Sequence, residues 1–156
     1  MRERAASRLR VASRVDVDRP PAAVWALLAD LGRWPEWSPL CTRSRLAAGA
    51  ALVPGAELTM RLRFFGFLPV TVRVRVTALR PGREIAWEKR VFGVHARHSY
   101  RVLPRARGST VRNDERIAGL GPILRPLVRG WFRRTDLSRA SLRGIKRLAE
   151  AEGATA

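Results

Sequence analysis

Cysteine and histidine are scarce in this sequence, and their scarcity excludes two kinds of site. A single cysteine, Cys41, cannot form an internal disulfide. One cysteine and two histidines are too few for a dedicated zinc site. The sequence also contains no glycine-rich phosphate loop, no nucleophile elbow and no metal-binding cluster. We therefore expect a protein that uses no metal and no other cofactor.

Long apolar runs are absent as well. No stretch approaches the roughly 20 residues that a membrane-spanning helix needs, and residues 1–14 lack the apolar core of a signal peptide. These features predict a cytoplasmic protein. With 156 residues, of which 46% are apolar, the chain has an ordinary globular composition. We expect one domain over residues 1–156, with its core over roughly residues 9–150.

Acidic residues are few relative to basic ones. There are 13 acidic and 31 basic residues, which gives a net charge of +18. Only Lys89 and Lys146 are lysines, so the other 29 basic residues (31 minus two) are arginines. The excess is spread along the chain and is not concentrated in a tail. A strongly cationic surface attracts polyanions and anionic membranes, so both are candidate partners.

Alternating apolar and polar residues indicate strands through most of the chain. Residues 9–18 alternate, which predicts a half-buried strand. A helix is expected from Pro20-Pro21 to Gly32, followed by one helical turn within residues 33–39. Six further alternating segments, separated by turns, lie between Cys41 and Ala118. Strands joined by short turns form an antiparallel sheet.

The C-terminal part of the sequence is typical of a helix. Between Ile123 and Ala151, apolar residues recur at steps of three and four, which forms a one-sided apolar stripe. Pro126 is acceptable only in a first turn, so the helix should begin just before it or bend there. Each predicted strand is apolar on one face, and this long helix must cover that face. The predicted class is therefore α+β.

Several motifs spread over residues 9–150 resemble a known family. The resemblance lies in Val15-Asp16-Val17-Asp18 with Pro21-x-x-Val24-Trp25, Asp30-Leu31-x-x-Trp34-Pro35-x-Trp37-x-Pro39, Gly108-Ser109-Thr110-Val111 with Glu115 and Gly119, and Leu142-x-x-Ile145-Lys146-Arg147-Leu148-Ala149-Glu150. Together they resemble the START-like, helix-grip superfamily (SRPBCC), in its bacterial polyketide cyclase/dehydrase-like branch. The resemblance implies a curved antiparallel sheet of about seven strands around a long C-terminal helix, with two short helices after the first strand. It also implies an apolar cavity for a hydrophobic ligand.

His98 and Glu115 are the candidate catalytic residues. If Val102 pairs with Val111 across the loop between the last two strands, antiparallel register places His98 opposite Glu115. A histidine–carboxylate pair within apolar walls is suited to general acid–base chemistry or to anchoring a polar ligand head. The alternative is a structural pair, because buried polar groups need partners in any case.

The same face supplies candidate ligand-binding residues. Trp34 and Trp37 are expected to pack in the core rather than to bind a ligand. His95 has the opposite parity to His98 and should face away from the cavity. The predicted lining residues are Met60, Phe64, Trp87, Tyr100, Asn113 and Trp131.

Arginines form two further patterns. On the strands around Gly66, a register that pairs Arg63 with Arg73 and Arg61 with Arg75 would place like charges opposite each other on the convex face, with Glu88 near Arg73. On the C-terminal helix, a basic stripe opposite the apolar one is suited to an anionic lipid surface or another polyanion. The arginines of this stripe are Arg125, Arg129, Arg133, Arg139, Arg143 and Arg147.

These observations leave three functions open. The favoured one is binding of a hydrophobic small molecule, a lipid or a polyketide-like compound, between the sheet and the C-terminal helix. The second is a polyketide cyclase or dehydratase that uses His98 and Glu115. The third is a surface protein that binds an anionic membrane or polyanion. Nucleic acid is disfavoured because no base-stacking aromatics lie among the arginines, and the oligomeric state is left open.

Overall fold

The computed structural model describes residues 9–91, 93–119, 121 and 123–154. Within that part of the chain, seven strands form one antiparallel sheet in the order β1-β7-β6-β5-β4-β3-β2. The strands are β1 Leu9–Val17, β2 Cys41–Leu46, β3 Glu57–Phe64, β4 Leu68–Arg80, β5 Glu84–Val91, β6 Val94–Pro104 and β7 Ser109–Ala118. The helices are α1 Pro21–Ala29, α2 Trp34–Trp37, α3 Leu124–Thr135 and α4 Leu137–Ala154, with a 3-10 turn over Leu31–Arg33.

The two short helices after β1 lie where the sequence predicts them. Pro21 occupies the first position of α1, where a missing N–H costs nothing. Helix α1 buries Val24, Leu27 and Leu28. Asp30 then caps the 3-10 turn, because its side chain accepts a hydrogen bond of 3.0 Å from the Gly32 N–H.

The sheet has an apolar inner face and a polar outer face. Along β3 and β4, inward residues such as Leu58, Val74 and Val76 are 2% exposed or less, while their sequence neighbours are open to solvent. Burying a side chain of this size contributes about 1.5–3 kcal/mol. Helix α4 supplies Leu142 and Ile145 to the same core. The core thus lies between the inner face and the helices, as the α+β pattern requires.

The predicted C-terminal helix is divided in two. Helix α3 ends at Thr135, and Asp136 adopts a φ of +44° before α4 begins. Aspartate tolerates this left-handed conformation better than most residues, because its short side chain bonds locally. The Thr135 hydroxyl donates a 2.8 Å hydrogen bond to the Trp131 carbonyl in the last turn of α3. Pro126 lies in the first turn of α3, as predicted.

The predicted register between β3 and β4 is wrong by four residues. Arg63 lies opposite Pro69, and Arg61 lies opposite Thr71. The reason is the short connection, since Phe64 and Leu68 already pair and only three residues, 65–67, form the turn. The predicted rows of opposed arginines are therefore absent at this hairpin.

Glu88 balances a different arginine from the predicted one. Arg75 lies opposite Glu57 on one side and Glu88 on the other. Its guanidinium donates a 2.6 Å hydrogen bond to the Glu88 carboxylate. Glu88 therefore neutralises Arg75 and not Arg73, because the β4–β5 register places Arg75 opposite Glu88.

Candidate functional site

A pocket of about 540 Å³ lies between the inner face of the sheet and helices α2, α3 and α4. Its walls are mainly apolar, and its polar groups come from β5, β6, β7 and α4. The apolar lining residues include Trp34, Trp37, Met60, Leu62, Phe64, Val70, Val72, Val74, Trp87, Tyr100, Ile117, Leu124 and Val128.

His98 and Glu115 meet on the pocket side of the sheet. Strand pairing places Trp87, His98 and Glu115 in one row across β5, β6 and β7. The His98 Nε2 atom lies 2.7 Å from the Glu115 Oε1 atom, and Glu115 is buried. The His98 ring stacks on Trp87, with 5.4 Å between ring centroids and parallel planes. The predicted register and contact are confirmed, while a catalytic role for the pair stays a prediction.

Lys89 also lines the pocket, although sequence reasoning missed it. It follows Trp87 by two residues on β5 and therefore shares its face. Burial lowers the pKa of Lys89, and the negative charge of Glu115 opposes that shift. Its Nζ atom lies 5.8 Å from the centre of the Phe64 ring. No carboxylate of the described residues lies within 4.0 Å of this ammonium. The alternation of β5 was the signal that could have identified it.

Polar side chains from α4 contact the sheet at the same pocket. The Asn113 Nδ2 atom donates a 2.9 Å hydrogen bond to the Ser138 hydroxyl, which also contacts the Ser13 hydroxyl. The side-chain oxygen Oδ1 of Asn113 is buried and has no hydrogen-bond partner in the part of the chain that the structure describes. Burial raises the pKa of Tyr100, whose phenolic oxygen also forms a hydrogen bond with Ser141. These contacts hold α4 against β6 and β7 at the polar side of the pocket.

The tryptophans divide between packing and lining. Trp34 is buried and donates a 3.0 Å hydrogen bond to the Leu28 carbonyl. Trp37 is also buried, with its indole 5.5 Å from the Tyr100 ring. Both pack in the core as predicted, yet both also line the pocket, which was not predicted.

Trp131 occupies a different place from the other predicted lining residues. Met60, Phe64, Trp87, Tyr100 and Asn113 all line the pocket. Trp131 is not among its lining residues, and its indole packs on two that are, 5.6 Å from the Phe64 ring and 5.1 Å from the Phe65 ring. The roles of all six residues in binding stay predictions.

The remaining candidates lie away from the pocket chemistry. His95 is on the outer face, with its Nε2 atom 3.0 Å from Glu88 Oε2. Cys41 is buried, its thiol donates to the Arg43 carbonyl, and burial raises its pKa to about 11. Such a thiol is unreactive at neutral pH. Across residues 9–91, 93–119 and 123–154, no three metal-binding side chains cluster closely enough to hold an ion.

The predicted basic stripe is divided by the break at Asp136. Arg139 and Arg143 on α4 both lie 3.9 Å from the Asp136 carboxylate, and Arg147 donates to the Glu36 carbonyl. All six arginines of the stripe are exposed. They form two separate sets of three, one on α3 (Arg125, Arg129, Arg133) and one on α4 (Arg139, Arg143, Arg147). Neither helix is long and apolar enough to cross a membrane, nor is any other among the described residues.

The sheet, its gripped C-terminal helix and the pocket between them define a protein of the helix-grip class. A family model described as polyketide cyclase / dehydrase and lipid transport matches residues 8–150, and the chain belongs to that family. The resemblance drawn from the sequence motifs is thereby confirmed. A curated relative, the uncharacterized protein Rv0088 of Mycobacterium tuberculosis, is 35% identical over 79 residues. Those residues are 50% of this chain and only 35% of that relative.

Solved structures share the fold. The Zhui aromatase/cyclase from Streptomyces sp. R1128 matches with a TM-score of 0.76 at 18% identity, over 92% of this chain and 94% of that one. The di-domain aromatase/cyclase StfQ from the steffimycin biosynthetic pathway matches with a TM-score of 0.73 at 18% identity. That match covers 94% of this chain and 52% of StfQ. At these identities the likeness establishes the helix-grip fold and leaves the reaction open.

Proposed function

We propose that this protein binds a hydrophobic small molecule, a lipid or a polyketide-like compound, in the pocket between the sheet and helices α2, α3 and α4. The observation that carries the proposal is the pocket itself, with about 540 Å³ of space and mainly apolar walls. Sites for small molecules commonly have volumes of about 300–1,000 Å³ and a few convergent polar groups. Membership in a family described by both cyclases and lipid transport supports the same class of ligand.

The polar groups of the pocket select the chemistry of the ligand head. Lys89 brings an ammonium that lacks a carboxylate partner among the described residues, and burying such a charge is costly unless it is paired. A carboxylate, an enolate or a carbonyl oxygen on the ligand would supply that partner. The neighbouring His98–Glu115 pair adds a donor and an acceptor at the same end. The apolar body of the ligand would then lie against Met60, Val72 and Trp87.

An enzymatic function is the second candidate, and one contact favours it. When Glu115 accepts a hydrogen bond from His98 Nε2–H, the other ring nitrogen, Nδ1, remains the basic one. A carboxylate that orients a histidine in this way is a common arrangement for general acid–base catalysis. Such a pair would move a proton to or from a bound carbonyl compound, while Lys89 would stabilise negative charge on its oxygen.

The test of binding starts with the protein as purified. Native mass spectrometry would reveal a co-purified ligand, and thermal melts with hexadecanoic acid or a flat aromatic acid would measure binding. A ligand that binds only the folded state raises the melting temperature by mass action. Val72→Phe should fill the pocket and remove that rise. Thr71→Phe, one residue away on the outer face, is the matched control and should preserve it.

Two results would count against the proposal. One is the absence of any melting shift with acids of several lengths and shapes. The other is an equal response of the two phenylalanine variants, since only Val72 lines the pocket. A turnover assay with a β-hydroxy or polyketide-like carbonyl compound would decide between binding alone and catalysis. Turnover that is lost in His98→Ala would favour catalysis.

A further inference from the structure

Six exposed arginines form two parallel rows on the outer face of the sheet, away from the pocket. The register of β1, β7 and β6 sets them directly side by side, three to a row. The first row is Arg10, Arg116 and Arg97, and the second row is Arg14, Arg112 and Arg101. This arrangement arises only when the three strands are assembled, because each row takes one residue from each of them.

The two rows form the walls of a groove of about 550 Å³. The two rows are four residues apart on each strand, so their Cα atoms are about 13 Å apart along the strand. Short side chains form the floor between them and continue in register across five strands. The floor residues are Ala12, Asp114, Ser99, Ala86 and Ala78. Long guanidinium side chains on a floor of small residues leave an open channel across the strands, which we name the arginine groove.

The arginine groove carries more positive charge than its own carboxylates balance. Asp114 accepts hydrogen bonds from Arg10 and Arg116, and Glu84 accepts one from Arg101. The other three arginines, Arg14, Arg97 and Arg112, have no carboxylate within 4.0 Å among the residues that the structure describes. Like charges directly opposite each other on a sheet repel. A bound anion would relieve this repulsion.

We propose that the arginine groove binds an acidic α-helix of a partner protein. A helix is about 10–12 Å wide with its side chains, which is close to the spacing of about 13 Å between the backbones of the two rows, so a helix lying over the floor would have one row along each flank. Carboxylates on the two flanks of such a helix would reach one row each, and guanidinium groups bind carboxylates in bidentate geometry. The floor is alanine and serine apart from Asp114, whose carboxylate already accepts hydrogen bonds from Arg10 and Arg116, and these short side chains let the helix approach the sheet closely. This site is separate from the pocket and does not depend on the proposed ligand.

Other polyanions match the groove less well. Among the described residues, no phenylalanine, tyrosine or tryptophan lines it, so these residues offer the bases of a single-stranded nucleic acid no stacking surface. The same lining residues include no large aliphatic side chain that would enter a lipid bilayer.

The test compares two stapled helical peptides of identical glutamate and alanine composition. One places its glutamates in two stripes that flank an alanine stripe, and the other distributes them evenly around the helix. By fluorescence anisotropy at low salt, we expect the two-stripe peptide to bind at least tenfold more tightly. Arg97→Gln with Arg112→Gln should remove that preference. Arg61→Gln with Arg63→Gln, on the same face but outside the groove, makes the same charge change and should leave it intact.

Several results would overturn the assignment. Equal binding of the two peptides, or an equal loss in both double variants, would mean that only general charge attraction acts. Tighter binding of a single-stranded oligonucleotide or of anionic vesicles through Arg97 and Arg112 would assign the groove to that class instead. Thermal melts check that the variants fold. Ligand binding in the pocket should be unchanged in both, so failure of this proposal is distinguishable from failure of the proposed function.

Discussion

Two histidine–glutamate pairs of similar geometry lie on opposite faces of strand β6. His98 contacts Glu115 at 2.7 Å on the pocket side, and His95 contacts Glu88 at 3.0 Å on the outer side. The outer pair is shared with Arg75 and lies toward solvent, whereas the inner pair lies among apolar walls. The face of the strand on which each pair lies therefore decides its chemistry: only the inner pair can contact a ligand in the pocket.

The first prediction concerns the inner pair. His98→Ala leaves Glu115 buried without its partner, which should lower the free energy of unfolding by about 1–3 kcal/mol. If the pair anchors the ligand head, affinity for hexadecanoic acid should also fall by about tenfold or more. Paired urea melts and ligand titrations measure both quantities, and Glu115→Gln tests the other partner.

The outer pair provides the matched control. His95→Ala also removes a histidine–glutamate contact, but from the face away from the pocket, so ligand affinity should not change. Suppose that His98→Ala lowers the free energy of unfolding but, like His95→Ala, leaves ligand affinity unchanged. The inner pair would then have only a structural role.

The second prediction concerns Lys89. Lys89→Met keeps most of the length of the side chain and removes a half-buried charge, so it should raise the free energy of unfolding at pH 7 by at most on the order of 1 kcal/mol. It should also weaken binding of hexadecanoic acid more than binding of hexadecanol, which has no charge. Titrations with both compounds measure the difference, and equal losses for the two would contradict an ionic role for Lys89.

The pH dependence of stability gives a separate readout for Lys89. Its pKa in the folded protein lies below its ordinary value of 10.5. Between those two values the unfolded chain holds more protons than the folded one, so the free energy of unfolding rises with pH in that window. Lys89→Met should flatten this rise in urea melts.

At the scale of elements, the position of α4 depends on a close approach to α2. A Cβ atom at Gly144 would lie 2.4 Å from the Trp37 carbonyl oxygen, which is closer than a real Cβ contact allows. From sequence, this glycine only weakens a helix. In the fold it lets α4 pack directly on α2, next to the pocket wall that Trp37 forms.

The third prediction follows from this packing. Gly144→Ala gains helix propensity, but α4 must move away from α2, and we expect a net loss of about 1–3 kcal/mol. Gly130→Ala in α3 is the control, because a Cβ there would meet no atom of the described residues within 4 Å outside its own stretch of helix. It should stabilise the protein by up to about 1 kcal/mol. If urea melts showed that both variants stabilise the protein, or that both destabilise it, the proposed role of Gly144 would be contradicted.

At the scale of the whole molecule, exposed apolar side chains gather on the β3–β4 turn and the start of α3. Phe67 is 77% exposed and Leu127 is 62% exposed. The two elements meet where Phe65 packs on Trp131, and Phe65 and Leu124 also line the pocket. An apolar patch of this kind beside basic side chains is typical of a surface that contacts lipid or another protein.

The fourth prediction is that the protein binds weakly to anionic vesicles through this region. Binding should disappear as salt rises through the physiological range, where the Debye length shrinks to about 8 Å. Replacing Arg125, Arg129 and Arg133 with glutamine should reduce it in vesicle sedimentation. The control replaces Arg73, Arg83 and Arg107, which are exposed and lie outside this region, and makes the same charge change. Equal binding to neutral and anionic vesicles would exclude this electrostatic contact.

Local sequence patterns determined most of the fold and the central pair of the candidate site. Alternation identified the strands, since residues on one face of a strand recur with period two. The β6–β7 register also followed from local information, because Val102 and Val111 flank a short loop. His98 and Glu115 then had to face each other.

Only the tertiary structure decided the remaining features, because they depend on neighbours that are distant in the sequence. The break at Asp136 follows from a backbone conformation that residue periodicity does not report. The β3–β4 register depended on how tightly three residues could turn between Phe64 and Leu68. Lys89 became a pocket residue because helices from another part of the chain cover its face of the sheet. The two rows of arginines exist because β1 pairs with β7 across most of the chain length.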